Sequence, residues 1–420
     1  MNSKFFNNYN RPILRNPFYL YFSNFSDSIL PLLLLPFVAR IFGPINIGEI
    51  GLSQSIGLIF LIILEYGFAV SATKSIASNS NSDKEKSLIG QIFSFKLYLL
   101  PVIIFFAYLI SILHPVFINK PYLIIISTID IIFQSLSPSW YFKGKQKFKN
   151  LAIIKIIFRL LAFCMIFLFI KSSSDVWIYL SLLAFSSLLI AITQIFIMIK
   201  EVGQFRLYKW GKIKPALKSS TYNFIIISLP TIFNNVGILL LSYLANPIYV
   251  GYYFGVSKIH RAFNTLFTPI FESFFPYIVK IYNEDKKIAL NKMKTYSLIV
   301  LSMGITFFIT VWFLSEKIIF FALGEKFLDS ENYLRAFGFL LPLVVPGYIW
   351  GNQWMVVLGK EKKFSQISIL TNFIGILALL FLIPKFLIYA IPISISISEV
   401  LKILLIIRHL NNDKQKKKII

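Results

Sequence analysis

Cysteine and histidine are nearly absent from this chain, and their scarcity excludes several kinds of protein. There is one cysteine, Cys164, and there are three histidines in 420 residues. A single cysteine cannot form an intrachain disulfide, and no group of cysteines and histidines has the spacing of a metal site. We therefore expect no metal and no other cofactor, and we interpret Cys164 as a small residue of an apolar segment.

Charged residues are also scarce. Only 14% of the residues are charged, whereas 57% are hydrophobic. A membrane helix needs about 20 mostly apolar residues, so this content suffices for about 12 spans and leaves little for a soluble domain. The composition predicts an all-α polytopic membrane protein with about 12 transmembrane helices, and it argues against a soluble enzyme.

Twelve apolar segments can be placed along the chain, separated by short polar loops. None of these loops is long enough to hold a folded domain. The predicted spans are 17–41, 46–73, 88–112, 118–141, 150–170, 175–199, 215–243, 248–276, 293–314, 331–358, 364–384 and 386–408.

Acidic residues are few relative to basic ones: 18 against 42, a net charge of +24. The basic residues form short clusters between apolar segments, which argues against a nucleic-acid partner. Most lie in the two terminal regions and in alternate loops, at 74–87, 143–149, 200–218, 280–294 and 359–363. Because loops rich in lysine and arginine stay in the cytoplasm, this bias predicts that both termini are cytoplasmic.

Two short patterns recur at a distance of about half the chain. Pro44-Ile45-Asn46-Ile47-Gly48 resembles Pro247-Ile248-Tyr249-Val250-Gly251, and the segment 144–148 resembles 359–364. Such duplication is typical of transporters, although chance matching of low-complexity membrane sequence is the alternative. We predict a six-helix bundle over 1–199, a cytoplasmic linker over 200–214 and a second six-helix bundle with a basic tail over 215–420.

The eighth predicted span carries two cations near the middle of the membrane. Ionisable groups are costly there, so each is a functional candidate. Spacings of three and four place five polar residues on one helical face: Lys258, Arg261, Thr265, Thr268 and Glu272. The cations suit a phosphate or diphosphate group, and an ion pair with an acid of another helix is the alternative. Glu272 lies nearer the cytoplasmic end, which favours pairing or an extended side chain that reaches water.

Other charged groups lie within predicted spans. Arg159 is a further candidate cation for the diphosphate. Asp27, Glu65 and Asp130 are interpreted as protonatable carboxylates that couple transport to protons, or as structural partners of Arg159, Lys258 or Arg261. Two asparagines of the seventh span, Asn223 and Asn234, share a face and would bind sugar hydroxyls or hold a neighbouring helix.

Three segments of the chain resemble bacterial O-antigen and polysaccharide flippases. They are VARIFGP at 38–44 followed by Gly48, EYGFAVSATKSIA at 65–77, and VGYY at 250–253 followed by KIHRA at 258–262. The resemblance extends over nearly the whole chain.

This resemblance implies a fold like that of multidrug and toxin extrusion transporters, in the bacterial inner membrane. The implied substrate is an undecaprenyl-diphosphate-linked oligosaccharide, moved from the cytoplasmic to the periplasmic leaflet by alternating access and coupled to a cation gradient. It also implies a gating or orienting role for Arg40. Membrane lipid and other polysaccharide-assembly proteins are the expected partners.

Three alternatives remain at the level of sequence. A drug exporter of the same superfamily should have an acidic cavity, whereas this chain carries mid-depth cations. A membrane-embedded polysaccharide polymerase, which would be an enzyme, should have a long periplasmic loop. A lipid II flippase should carry two additional helices. We expect a transporter and not an enzyme.

Overall fold

The computed structural model describes the backbone of residues 3–78 and 81–418. Within these ranges it describes all side chains except those of residues 3–29, 222, 225–227, 229–230, 233–234, 269 and 412–418. The described backbone is helical apart from short connections and contains no strand. The predicted fold class, an all-α polytopic membrane protein, is confirmed.

The chain packs as two compact units, and each takes a part of the first long helix. The N-terminal unit comprises Met1–Leu35 and Glu49–Thr231, and the C-terminal unit comprises Pro36–Gly48 and Ile232–Ile420. The predicted division into two six-helix bundles around a linker at 200–214 stays a prediction.

The described residues up to Leu244 form nine α-helices. They are α1 (Ser3–Glu65), α2 (Phe68–Ser78), α3 (Ser82–Leu113), α4 (Pro115–Asn119), α5 (Tyr122–Leu136), α6 (Ser139–Gly144), α7 (Phe148–Phe169), α8 (Val176–Val202) and α9 (Lys214–Leu244). A short 3₁₀ turn at Trp210–Lys212 precedes α9.

The described residues from Pro247 to Lys418 form six further α-helices. They are α10 (Pro247–Glu284), α11 (Lys286–Ala322), α12 (Glu331–Gly338), α13 (Leu340–Gly347), α14 (Glu361–Phe386) and α15 (Ala390–Lys418). A π-helical segment, Tyr348–Met355, follows α13, and 3₁₀ turns occupy Glu325–Ser330 and Leu387–Tyr389.

Eight stretches of the described residues are long and apolar enough to cross a membrane. They are Leu30–Ser78, Ser82–Leu113, Tyr122–Gly144, Phe148–Phe169, Val176–Val202, Lys286–Ala322, Glu325–Met355 and Glu361–Asn411. The first and last contain 49 and 51 residues. At about 1.5 Å per residue, each could cross an apolar layer of about 30 Å twice. The count of twelve spans stays a prediction.

Side chains determine where these helices start and where they bend. Asn246 and Asp285 cap α10 and α11 by accepting hydrogen bonds from backbone N–H groups of the first turn, as these residue types commonly do. Inside α1, Gly43 has φ of 71° and breaks the helical path. Glycine tolerates this left-handed conformation, which would strain a residue with a Cβ atom.

Many large apolar side chains point outward, as expected for helices that contact lipid. Phe313 and Phe381 are both 77% exposed, and Leu298 is 68% exposed. Water would penalise such surfaces, whereas lipid tails solvate them.

Candidate functional site: membrane cations and a polar cavity

The two predicted mid-membrane cations both lie on α10, on the side that the packed core leaves open. Lys258 is half-buried and Arg261 is exposed, whereas Ile259 and Phe267 are buried. The Nζ atom of Lys258 lies 4.9 Å from the centroid of the Phe254 ring, in a cation–π contact. The other polar residues that the spacing grouped with them are exposed: Thr265, Thr268 and Glu272.

Neither cation forms a salt bridge with any acid in the part of the chain that the structure describes. Lys258 and Arg261 are instead close enough to each other to interact electrostatically. Two neighbouring like charges repel, so an anion between or beside them would lower their energy. This arrangement favours the anion-binding interpretation of α10 over the ion-pair alternative.

A second charged cluster joins three helices of the N-terminal unit around Asp130. The Oδ2 atom of Asp130 accepts a hydrogen bond of 2.9 Å from Gln134 Nε2 on the same helix, α5. Ser187 of α8 lies near the same carboxyl group, and Arg159 of α7 interacts with it electrostatically without forming a salt bridge in the described part of the chain. The role of Asp130, as a coupling group or as a structural partner of Arg159, stays a prediction.

Two buried oxygens of the cluster, Asp130 Oδ1 and Ser187 Oγ, form no hydrogen bond of ordinary geometry among the described residues. The Ser187 hydroxyl is nevertheless near enough to the Asp130 carboxyl group to interact with it. A serine hydroxyl can donate to an ionised carboxylate and can accept from a protonated one, so this contact is compatible with both protonation states of Asp130.

Glu65 pairs with a lysine that the sequence analysis did not single out. The Nζ atom of Lys96 on α3 lies 2.7 Å from Glu65 Oε1, and it also donates to the backbone carbonyl of Ser135. The Lys96 side chain is only 1% exposed. The partners suggested from sequence were Arg159, Lys258 and Arg261, whereas the structure shows Lys96.

A polar cavity of about 210 Å³ lies beside this ion pair, within the N-terminal unit. Its polar lining comes from the end of α1 and from the region where α5 gives way to α6. The lining side chains that can form hydrogen bonds are Glu65, Gln134, Ser137, Ser139, Trp140 and Lys143.

A larger and mostly apolar cavity of about 480 Å³ lies within the C-terminal unit. Tyr282, Trp350 and Trp354 form part of its wall, together with Lys294 and Lys360. Both tryptophans belong to the π-helical segment, a local distortion that is frequent at functional sites. Its apolar walls suit hydrocarbon better than a sugar.

Arg40 binds the end of a helix. Its guanidinium Nη2 donates to the backbone carbonyls of Phe320 and Phe321, at 3.2 and 3.0 Å. These carbonyls belong to the last turn of α11, where acceptors have no partner within the helix and where positive charge is favourable. The contact holds the segment 36–48 to α11 within the C-terminal unit.

Among the remaining candidate residues, the structure describes the side chains of two and not those of the other two. Glu272 is exposed on α10 and interacts electrostatically with Tyr348. Asn223 is half-buried on α9, where its backbone lies against Gly67. The side chains of Asp27 and Asn234 lie outside the described residues, so their roles stay predictions.

Three charged residues with little exposure were not among the predicted site residues, although a signal for them was present. Lys96 lies within the predicted span 88–112, and Glu399 and Lys402 lie within 386–408, where they pair with each other. The rule that marks a charge inside an apolar run applied to all three. The partner of Lys96 could not have been identified from residue spacing, because Glu65 lies on another helix.

Taken together, the long apolar helices and the charged groups within them define a multi-pass membrane protein. A family model described as "Polysaccharide biosynthesis protein" matches residues 13–282, which is more than half of the chain. The chain belongs to this family, and the predicted family relationship is confirmed.

Two curated relatives carry the name "Putative O-antigen transporter". The protein of Escherichia coli (strain K12) is 28% identical over 377 residues, covering 88% of this chain and 89% of the relative. The protein of Shigella dysenteriae is 24% identical over 399 residues, covering 94% and 99%.

Solved structures of two transporter types share the fold. The lipid II flippase MurJ, in an inward closed conformation, has a TM-score of 0.74 at 18% identity, covering 93% of this chain and 87% of that chain. An inward-facing multidrug resistance transporter of the MATE family has a TM-score of 0.61 at 14% identity, covering 94% and 96%. The predicted likeness to multidrug and toxin extrusion transporters is confirmed for the fold.

Proposed function

We propose that this protein is a flippase that moves an undecaprenyl-diphosphate-linked oligosaccharide from the cytoplasmic to the periplasmic leaflet of the bacterial inner membrane. Membership in the polysaccharide biosynthesis family supports this proposal, as do the O-antigen transporter names of two relatives. The substrate would be an O-antigen or a related surface polysaccharide unit. Translocation would proceed by alternating access without covalent chemistry.

The observation that carries the proposal is the pair of cations on α10. Lys258 and Arg261 form no salt bridge with a described acid. A diphosphate group would supply the missing negative charge, with the Arg261 guanidinium donating a fork of hydrogen bonds and Lys258 acting as a point charge. A neutral or cationic cargo would leave these cations uncompensated.

Coupling to a cation gradient is assigned to the Asp130 cluster. Loss of negative charge on Asp130 would weaken its electrostatic attraction to Arg159. A change of this kind biases one conformation only if the two conformations differ in that interaction. Arg159 would then act through Asp130, and the diphosphate would be held by Lys258 and Arg261.

The orientation of the chain completes the proposal. The loops rich in lysine and arginine support cytoplasmic termini. Other polysaccharide-assembly proteins would supply the substrate on one side and consume it on the other.

The test is complementation of a strain that lacks its own O-antigen flippase. The unmodified protein is expected to restore surface polysaccharide in this strain. Lys258→Ala and Arg261→Ala are each expected to reduce surface polysaccharide by roughly tenfold or more, because a hydrogen bond to a charged group contributes about 1.5–3 kcal/mol. Lys280→Ala is the matched control, since it removes an exposed lysine of the same helix.

Protein abundance in the membrane must be equal for all variants. If Lys258→Ala and Arg261→Ala both restore polysaccharide to the level of the Lys280→Ala control, the diphosphate site on α10 is excluded. If the unmodified protein fails to restore any lipid-linked glycan to the surface of such strains, the flippase assignment fails.

A further inference from the structure

The polar cavity of the N-terminal unit lies where two membrane helices are interrupted. Between α1 and α2, Tyr66 and Gly67 both have positive φ, at 43° and 75°. Between α5 and α6, Ser137 and Pro138 leave the helical conformation. Transporters commonly build substrate sites from interrupted helices, because the break frees polar groups inside the membrane.

The break at Gly67 is enforced by close packing. A Cβ atom on Gly67 would lie 2.6 Å from the backbone nitrogen of Phe224 and 2.8 Å from the carbonyl oxygen of Ser220. On the other side, Ser71 Oγ and Ser220 Oγ are 2.6 Å apart and share a hydrogen bond. The interrupted segment is therefore a packed and defined feature of the N-terminal unit.

The cavity wall contains a buried donor that the protein itself does not satisfy. Trp140 is 2% exposed, and its indole Nε1 has no hydrogen-bond partner among the described residues. Next to it, Ser137 Oγ donates 2.6 Å to Gln194 Oε1, and the Nε2 group of Gln194 is likewise without a partner in the described structure. Buried donors without partners are rare, and they suit a ligand that brings acceptors.

The cavity wall combines polar groups of both kinds with apolar surface. Glu65 faces the cavity with a carboxylate, which is balanced by Lys96 at 2.7 Å. The other lining groups are hydroxyls, an amide, an indole, the ammonium group of Lys143 and the apolar side chains of Leu61 and Ala69. A sugar hydroxyl both donates and accepts hydrogen bonds, and so fits a wall of mixed donors and acceptors.

We infer that this cavity binds a sugar ring of the transported glycan, with a hydroxyl accepting from Trp140 Nε1 and another donating to Glu65. This inference rests on the proposed flippase function and names the part of the substrate that the N-terminal unit recognises. The helices that follow the cavity, α2 and α6, lead into the basic loops 74–87 and 143–149. By the predicted topology, the cavity is reached from the cytoplasmic side, where the proposed substrate starts.

A first experiment replaces the unpartnered donor alone. Trp140→Phe keeps an aromatic ring but removes Nε1, so no hydrogen bond within the described structure is lost. Because Trp140 belongs to a buried apolar cluster, the smaller ring should lower thermal stability somewhat. At equal abundance in the membrane, we expect glycan export to fall by about fivefold, the effect of one lost hydrogen bond. Trp177→Phe, at an exposed tryptophan of α8, is the control. Export by Trp140→Phe equal to that of Trp177→Phe would overturn the inference.

A second experiment measures occupancy through cysteine protection. The chain has one cysteine, so Cys164→Ser gives a cysteine-free background, into which Ser139→Cys or Ser137→Cys is placed. Labelling by N-ethylmaleimide is compared in membranes that contain the native lipid-linked glycan and in membranes from a strain that cannot attach the first sugar. We expect severalfold slower labelling of the cavity cysteine when the glycan is present. The control is the unmodified protein, whose exposed Cys164 should be labelled equally in both membranes.

The failure of this inference can be told apart from failure of the flippase function. If the protein restores surface polysaccharide but the cavity cysteines are labelled equally in both membranes, the sugar site is wrong and the function stands. If surface polysaccharide is not restored, the function itself fails.

Discussion

Gly48 and Gly251 pack backbone to backbone inside the C-terminal unit. A Cβ atom on Gly48 would lie 2.6 Å from the nitrogen of Gly251 and 3.0 Å from the carbonyl oxygen of Pro247. A Cβ atom on Gly251 would overlap the carbonyl of Pro44. The two glycines end the two Pro-x-x-x-Gly patterns that recur at half the chain length, so the repeated motifs face each other reciprocally.

This contact predicts that alanine is not tolerated at either glycine. Gly251→Ala is expected to lower the free energy of unfolding by about 1–3 kcal/mol, the usual cost of overpacking, because the obstructing atoms belong to the backbone. The measurement is thermal stability of the purified protein in detergent. Gly211→Ala is the control, since no atom lies within 4 Å of its Cβ position. Equal stability of the two variants would contradict the contact.

Replacing Arg40 should lower the stability of the protein, and this effect can be measured separately from any effect on gating. Arg40→Ala removes two hydrogen bonds to the last turn of α11, and we expect stability to fall by about 1 kcal/mol. Arg40→Lys keeps the charge near the helix end and should recover part of this loss. If Arg40→Ala leaves thermal stability unchanged but abolishes export, the gating role expected from sequence is favoured over the capping role.

Replacing Asp130 should change the coupling of glycan export to the proton gradient. Asp130→Asn removes the charge beside Arg159 while retaining a side chain that can contact Gln134 and Ser187. We expect export that no longer responds to a collapse of the proton gradient, at a reduced rate. The measurement is glycan translocation in energised membrane vesicles, with and without a protonophore.

Asp175→Asn is the control for the Asp130 variant. Asp175 lies in a loop outside the spans, where hydrogen bonds from the backbone N–H groups of Lys171 and Ser172 lower the pKa of its carboxyl group. The charge of Asp175 is remote from the proposed coupling group, so this variant should respond to the protonophore as the unmodified protein does. Should Asp130→Asn respond in the same way, Asp130 is not the coupling group.

The pair of Glu65 and Lys96 predicts a non-additive effect on stability. Lys96→Met leaves a carboxylate without its partner, and removal of one member of a buried pair costs about 3–5 kcal/mol. The double variant Glu65→Gln with Lys96→Met should lose much less than the sum of the single losses. Because Glu65 also lines the polar cavity, the double variant is expected to stay stable while exporting poorly. Additive losses in stability would show that the two side chains do not interact.

The sequence predicted the fold class and the candidate cations because these depend on local composition. A run of about 20 apolar residues crosses a membrane whatever its neighbours are, and the lysine-rich loops indicate an orientation by position alone. Lys258 and Arg261 were recognised for the same reason, since a charge inside an apolar run is conspicuous.

The partners of the charges were decided by tertiary structure. Glu65 and Lys96 are 31 residues apart and lie on different helices, and Asp130 interacts electrostatically with Arg159 across a similar separation. Which side chains meet depends on how each helix is rotated about its own axis and on where it is interrupted. Those rotations follow from packing of the whole unit, so composition and spacing could mark the charged residues but could not pair them. The polar cavity has the same origin, because it exists only where the breaks at Gly67 and Pro138 come together.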